Sequence, residues 1–170
     1  MTEPVSVGVA ELKVSDNSDT LISFGLGSCV AVAIYDPVRK AGGLAHVMLP
    51  GSRGHESDTM PGKFADTAVP SLVDKLVSLG ARRKRLLCKI VGGAQMFEIP
   101  GSRIKHTGPT FGPHTHIGER NVEAVKNALN DADIPLIGEE TGGRHGRTVI
   151  FDTCTGEMSV SSIHYGANVI

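Results

Sequence analysis

Leu26-Gly27-Ser28-Cys29-Val30-Ala31-Val32-Ala33-Ile34-Tyr35-Asp36-Pro37 and Ala41-Gly42-Gly43-Leu44-Ala45-His46-Val47-Met48-Leu49-Pro50 lie almost end to end in the chain. Residues 30–35 form a β-branched-rich apolar run closed by Asp-Pro, which reads as a strand and its stop. Residues 41–49 read as the next strand, with Lys40-Ala41-Gly42-Gly43 suited to the turn between them. A connection this short makes the two strands an antiparallel hairpin. Cys29, in the small-residue turn that opens the first strand, then comes close to His46 on the second without help from a distant segment.

Outward from this hairpin the pattern is mixed. Residues 5–9 alternate and read as a strand, and residues 51–60 are polar and read as a loop. A helix is expected over 64–79, with Leu72, Val73, Leu76, Val77 and Leu79 on its apolar side and Gly80 as its stop. Pro70 leaves two versions open, a helix that begins near it or one that kinks there. Residues 85–91 read as a buried strand ending in Gly92-Gly93. A second helix is expected over 119–131, where Val122, Val125 and Leu129 share a face and Glu119 and Glu123 suit the N-terminal dipole. Residues 136–138 and 147–152 read as strands, and 158–163 pairs with the latter in a closing hairpin. Strands and helices alternate irregularly, so the pattern predicts an α+β sandwich with mixed sheets rather than a doubly wound parallel fold.

The composition narrows the function. The chain has 170 residues, enough for a core without disulfides or a structural metal, and is expected to form one domain, residues 1–170. Lys plus Arg number 17 against 18 Asp plus Glu, so there is no basic surplus to bind nucleic acid or anionic lipid. No Trp and only two Tyr leave no stacking platform for single strands. No apolar run approaches a bilayer span and the N-terminus lacks a signal-peptide pattern, so a cytoplasmic protein is expected. Three cysteines without metal-type spacing fit a reducing compartment, and Cys88 and Cys154 read as structural.

The chemistry points to Cys29 and His46. A free thiol near its reference pKa of about 8.5 is only a few per cent thiolate at neutral pH, and a neighbouring imidazole makes up the shortfall. Because Cys29 opens a strand rather than a helix, His46 is the main candidate for stabilising a thiolate. His106, His114 and His116 could offer imidazoles to a transition metal, but no cysteine or carboxylate stands beside them, and they read as a polar loop. The Gly92-Gly93 and Gly142-Gly143 pairs match no full phosphate-binding pattern and read as turns. No metal and no cofactor are expected.

Six segments carry a resemblance. LGSCVAVAIYDP (26–37), GGLAHVMLP (42–50), PGKFADTAV (61–69), KIVGGAQMF (89–97), IGERNVEAVK (117–126) and EETGGRHGR (139–147) resemble, in order and spacing, the chemoreceptor glutamine deamidase family, CheD. The resemblance implies hydrolysis of glutamine side chains on methyl-accepting chemotaxis receptors to glutamate, with related activity on glutamyl methyl esters. It also implies a three-layer α/β sandwich similar to the catalytic domain of cytotoxic necrotizing factor toxins. As partners it implies the receptors and a CheC-type phosphatase of phosphorylated CheY. A non-catalytic regulator of that phosphatase is the alternative reading.

By the same resemblance Cys29 is the nucleophile, His46 its base and Ser23 the third member, at a position where well-known relatives carry threonine. The backbone N–H of Cys29 and a neighbour in the Gly27-Ser28 turn would hold the oxyanion. Phe64 stands where relatives often show tyrosine, so a phenol hydrogen bond is absent there. Residues from about 98 to 117 read as an added loop, and the Phe97 region as an exposed partner surface. Asp66, Glu119 and Asn121 fall in the shared motifs and read as caps or solvated positions.

Overall fold

The computed structural model describes residues 3–55, 57–96 and 116–170. Along the chain run β1 (Val5–Ser6), β2 (Leu12–Ser15), β3 (Thr20–Leu26), β4 (Val30–Asp36), β5 (Ala41–Val47), α1 (Ala65–Ser78), β6 (Leu87–Gly92), α2 (Ile117–Asp131), β7 (Leu136–Thr141), β8 (Arg147–Asp152), β9 (Met158–Ser162) and β10 (Gly166–Val169). They build two five-stranded sheets, one ordered β2-β5-β4-β6-β7 and the other β1-β3-β8-β9-β10. Both are mixed: β6 runs parallel to β7 and β1 to β3, and the remaining pairs are antiparallel.

Alternation along the central strands explains the layering. Every residue of β4 and β5 is buried, so both faces of this sheet are covered. Val30, Val32, Ile34, Ala45 and Val47 pack with Leu72, Leu76, Val125 and Leu129 of the helices. Ala31, Ala33, Tyr35 and Leu44 instead join Leu21, Leu26, Val149, Phe151 and Val160 of the second sheet. The result is helix layer, first sheet, second sheet, the three-layer α+β sandwich that was expected, with two mixed sheets.

The hairpin of β4 and β5 forms, with Ala31 opposite His46 and Val30 opposite Val47. Its turn lies elsewhere than expected. Residues 37–40 make it, with Asp36 Oδ1 accepting from the Val38 and Arg39 N–H groups and Lys40 N–H closing onto the Asp36 carbonyl. Gly42 and Gly43 belong to β5, where packing rather than turn geometry requires them. A Cβ on Gly42 would stand 2.9 Å from Phe151, and one on Gly43 2.7 Å from Val14 and 2.9 Å from Leu72. Phe24 and Gly25 belong to β3, whose pairing with β8 shifts register between Ser23 and Leu26. The strands β2, β3 and β10 had no counterpart among the expected elements.

Helix α1 begins at Ala65 and runs through Pro70. The lost hydrogen bond and ring clash of an interior proline cost about 3 kcal/mol. Burial of Leu72, Val73 and Leu76 offsets this, since each such side chain contributes roughly 1.5–3 kcal/mol. Arg85, expected to open a strand, lies in a short 3-10 turn and donates through Nε and Nη2 to the Asp36 carboxylate. The expected added loop lies outside the described residues up to position 115, as do Phe97, His106 and His114; His116 and Ile117 are the N-cap and first residue of α2.

Candidate active site

Strand β3 of one sheet and β5 of the other face each other, and this brings Ser23 against His46. Both are buried, and Ser23 Oγ stands 2.8 Å from His46 Nδ1. Ser23 Oγ also donates to the Val7 carbonyl at 2.8 Å. A hydroxyl has one proton, and a carbonyl only accepts. With that proton committed to Val7, Ser23 accepts from His46, so Nδ1 carries the hydrogen and Nε2 of the neutral ring keeps its lone pair. Nε2 is buried and, among the described residues, has no hydrogen-bond partner.

The backbone of His46 is held on its other side. Its N–H donates to Glu11 C=O at 2.9 Å and its carbonyl accepts from Ala10 N–H at 3.0 Å. Residues 7–11 therefore tie β3, through Val7, to β5, through His46, and fix the imidazole between the two sheets. Burial lowers the His46 pKa from its ordinary 6.5, against a smaller raising effect of the Val7 carbonyl.

Cys29 stands one residue before β4. Ala31 faces His46 across the ladder, and Cys29, two residues earlier, falls on the same face as its diagonal neighbour. The side chain is partly buried against the inter-sheet core. Burial raises the thiol pKa above its ordinary value, and a hydrogen bond from its own backbone N–H opposes this more weakly. Among the described residues, no hydrogen bond links Sγ to Nε2. Gly27 and Ser28 complete the turn. Among the described residues, no backbone carbonyl accepts from the N–H of Ser28 or Cys29.

The turn is gripped from two directions. On the β6 side, Gly93 N–H donates to Cys29 C=O and Ala94 N–H to Gly27 C=O, both at 2.8 Å. Gly92, with φ of 121°, lies so close that a Cβ there would meet the Cys29 carbonyl oxygen at 2.2 Å. On the other side, Asn121 of α2 donates through Nδ2 to Ser28 C=O at 2.9 Å and Met48 C=O at 3.0 Å.

The family model for CheD chemotactic sensory transduction matches residues 48–162. A protein of Clostridium botulinum (strain Hall) named probable chemoreceptor glutamine deamidase CheD is 43% identical over 166 residues, covering 98% of this chain and 97% of its own. The chain belongs to the CheD family. A CheD of Desulfitobacterium hafniense with the same name is 42% identical over 170 residues, the full length of both. A crystal structure of the Bacillus licheniformis hypothetical protein YfiH overlays this CheD-family chain with a TM-score of 0.46 and 18% identity, covering 76% of this chain and 50% of that one.

Of the expected site residues, Ser23 and His46 are in direct contact and Cys29 lies beside them, with Gly27 and Ser28 in its turn. Asn121, read from sequence as a cap or solvated position, is instead fully buried beneath this turn. The signal available was its place in the shared IGERN segment. Asp66 accepts from Ser52 N–H and Oγ and ties the loop after β5 to α1. Among the described residues, no cluster of His, Cys, Asp or Glu could hold a metal ion, and no helix is long and apolar enough to cross a membrane.

Proposed function

We propose that this CheD-family chain is a cysteine amidohydrolase that converts glutamine side chains of chemotaxis receptors to glutamate. The observation that carries the reading is the buried Ser23–His46 contact, which leaves an imidazole lone pair unpartnered on the face shared with Cys29. Such an arrangement suits general-base activation of a thiol at the moment of attack. Cys29 Sγ gives its proton to Nε2 and bonds to the carboxamide carbon. The Ser28 and Cys29 N–H groups receive the developing oxyanion. His46, now protonated, donates to the departing ammonia, leaving a thioester. Neutral His46 next takes a proton from water, the water attacks the thioester, and glutamate and the Cys29 thiol are regenerated. Ser23 holds the ring throughout, a neutral version of the third-group role in Ser-His-Asp sites.

The same chemistry extends to glutamyl methyl esters, where methanol replaces ammonia as the leaving group. The receptors' modified region and the proposed enzyme would meet in the cytoplasm, with residues 1–170 acting as one domain and a CheC-type phosphatase as a further partner. Incubation of a receptor cytoplasmic fragment with the protein tests the activity by intact mass. Amide-to-acid conversion adds about 1 Da per site. A gain that requires the protein is expected, and a fragment that stays at its starting mass would count against the reading.

A further inference from the structure

We infer that Asn121 is a positioning residue of this site: it fastens the turn that carries Cys29 to the strand that carries His46. The inference rests on the proposed nucleophile and base. Ser28 immediately precedes Cys29, and Met48 lies two residues beyond His46. The β4–β5 ladder ends at Val30–Val47. One step further on, β5 has turned away, and the Met48 and Leu49 N–H groups both donate to Lys63 C=O at 2.9 Å. No ladder bond joins the strands at the level of Cys29. The two N–H groups of Asn121 span that gap.

The assignment of the amide is unambiguous, because both neighbours are carbonyls and only the nitrogen can donate. Asn121 is itself held. The start of α2 packs so closely on Gly93 and Ala94 that a Cβ on Gly118 would stand 2.6 Å from both of their carbonyl oxygens. A Cβ on Gly93 would in turn meet Val122 Cγ2 at 2.2 Å. The helix, the β6 end and the Cys29 turn therefore form one rigid cluster, and Asn121 is the side chain that couples it to β5. Loss of its donors frees the turn to drift from Nε2, and a displacement of about 1 Å in such a pair can cost up to about a hundredfold in rate.

The test is Cys29 alkylation by iodoacetamide between about pH 5 and pH 9, read by peptide mapping, in wild type, His46→Ala, Asn121→Ala and Asn121→Asp. Cys88 is fully buried and reports opening of the fold in the same samples. In wild type, Cys29 reactivity should carry an inflection from His46, and His46→Ala should remove it. Both Asn121 variants should also remove it and slow the neutral-pH reaction roughly tenfold while Cys88 stays protected. A wild-type profile in either Asn121 variant with Cys88 protected overturns the proposal. So does exposure of Cys88 in both, which would make Asn121 a residue of the fold alone. If His46→Ala leaves the profile unchanged, the fault lies with the proposed base, a result that does not involve Asn121.

Discussion

Burial of the His46 ring lowers its basicity, and the Val7 carbonyl restores only part of it. For a base that must be neutral to act, this shift is useful. A lowered pKa favours the neutral ring, the form that can accept the thiol proton. The acid limb of kcat/KM, which reports the free enzyme, is therefore expected below pH 6.5. Cys29 is shifted the other way, upward, by burial, so the alkaline limb is expected above the thiol's ordinary value. A kcat/KM profile on a receptor fragment checks both limbs; an acid limb above 6.5 would point to a different group. Ser23→Ala removes the acceptor for Nδ1–H and leaves the Val7 carbonyl as the remaining partner. A fall in kcat of roughly tenfold is expected, the size of one hydrogen bond, with KM little changed.

At the level of elements, the hairpin that carries Cys29 and His46 is locked by Asp36. Its buried carboxylate accepts from the Val38, Arg39 and Arg82 N–H groups and from Arg85. Burial alone would raise its pKa, but the Arg85 guanidinium and these N–H groups outweigh burial and hold the carboxyl well below the usual carboxylate range. With the folded pKa depressed, the stabilisation is complete above the unfolded value of 3.8 and is lost as pH falls below it. Asp36→Ala is expected to cost about 3 kcal/mol, the low end for a broken buried pair because Arg85 stays partly exposed. Denaturant unfolding measures this, and the difference from wild type should shrink in acid. Gly93→Ala would place a methyl 2.2 Å from Val122 at a φ of 65°, so loss of more than about 2 kcal/mol is expected in the same assay.

The hairpin itself was legible because residues 30–35 are a continuous apolar run and 41–47 are interrupted only by His46, the signature of strands covered on both faces. Its turn was misplaced because Gly42-Gly43 reads as a bend, whereas the glycines answer to Phe151, Val14 and Leu72, which are distant in sequence. The strands β2 and β3 are short or interrupted by a bulge, and their polar residues, Ser15 and Ser23 among them, obscure the period-2 pattern. Cys29 and His46 stood out through the pairing of a thiol and an imidazole on one hairpin, and Ser23 through the resemblance. Asn121 did not, since a helical asparagine declares its partners only when the backbone carbonyls of Ser28 and Met48 are brought to it.

For the whole molecule, the site exists only because two sheets are pressed together. Ser23 comes from one and His46 and Cys29 from the other, with Val7 and Glu11 bridging the seam. Loosening of the sandwich should abolish the Ser23–His46 contact before either sheet unravels. A partner that binds this CheD-family chain without using the thiol would be insensitive to changes at Cys29, which separates the regulatory reading from the enzymatic one. The most direct measurement is intact mass of a receptor cytoplasmic fragment after incubation with wild type, Cys29→Ala or His46→Ala. A gain of about 1 Da per modified glutamine with wild type, and none with either variant, is the predicted result. A full gain with Cys29→Ala would contradict the account, because no other group at the site could then be the nucleophile it assigns.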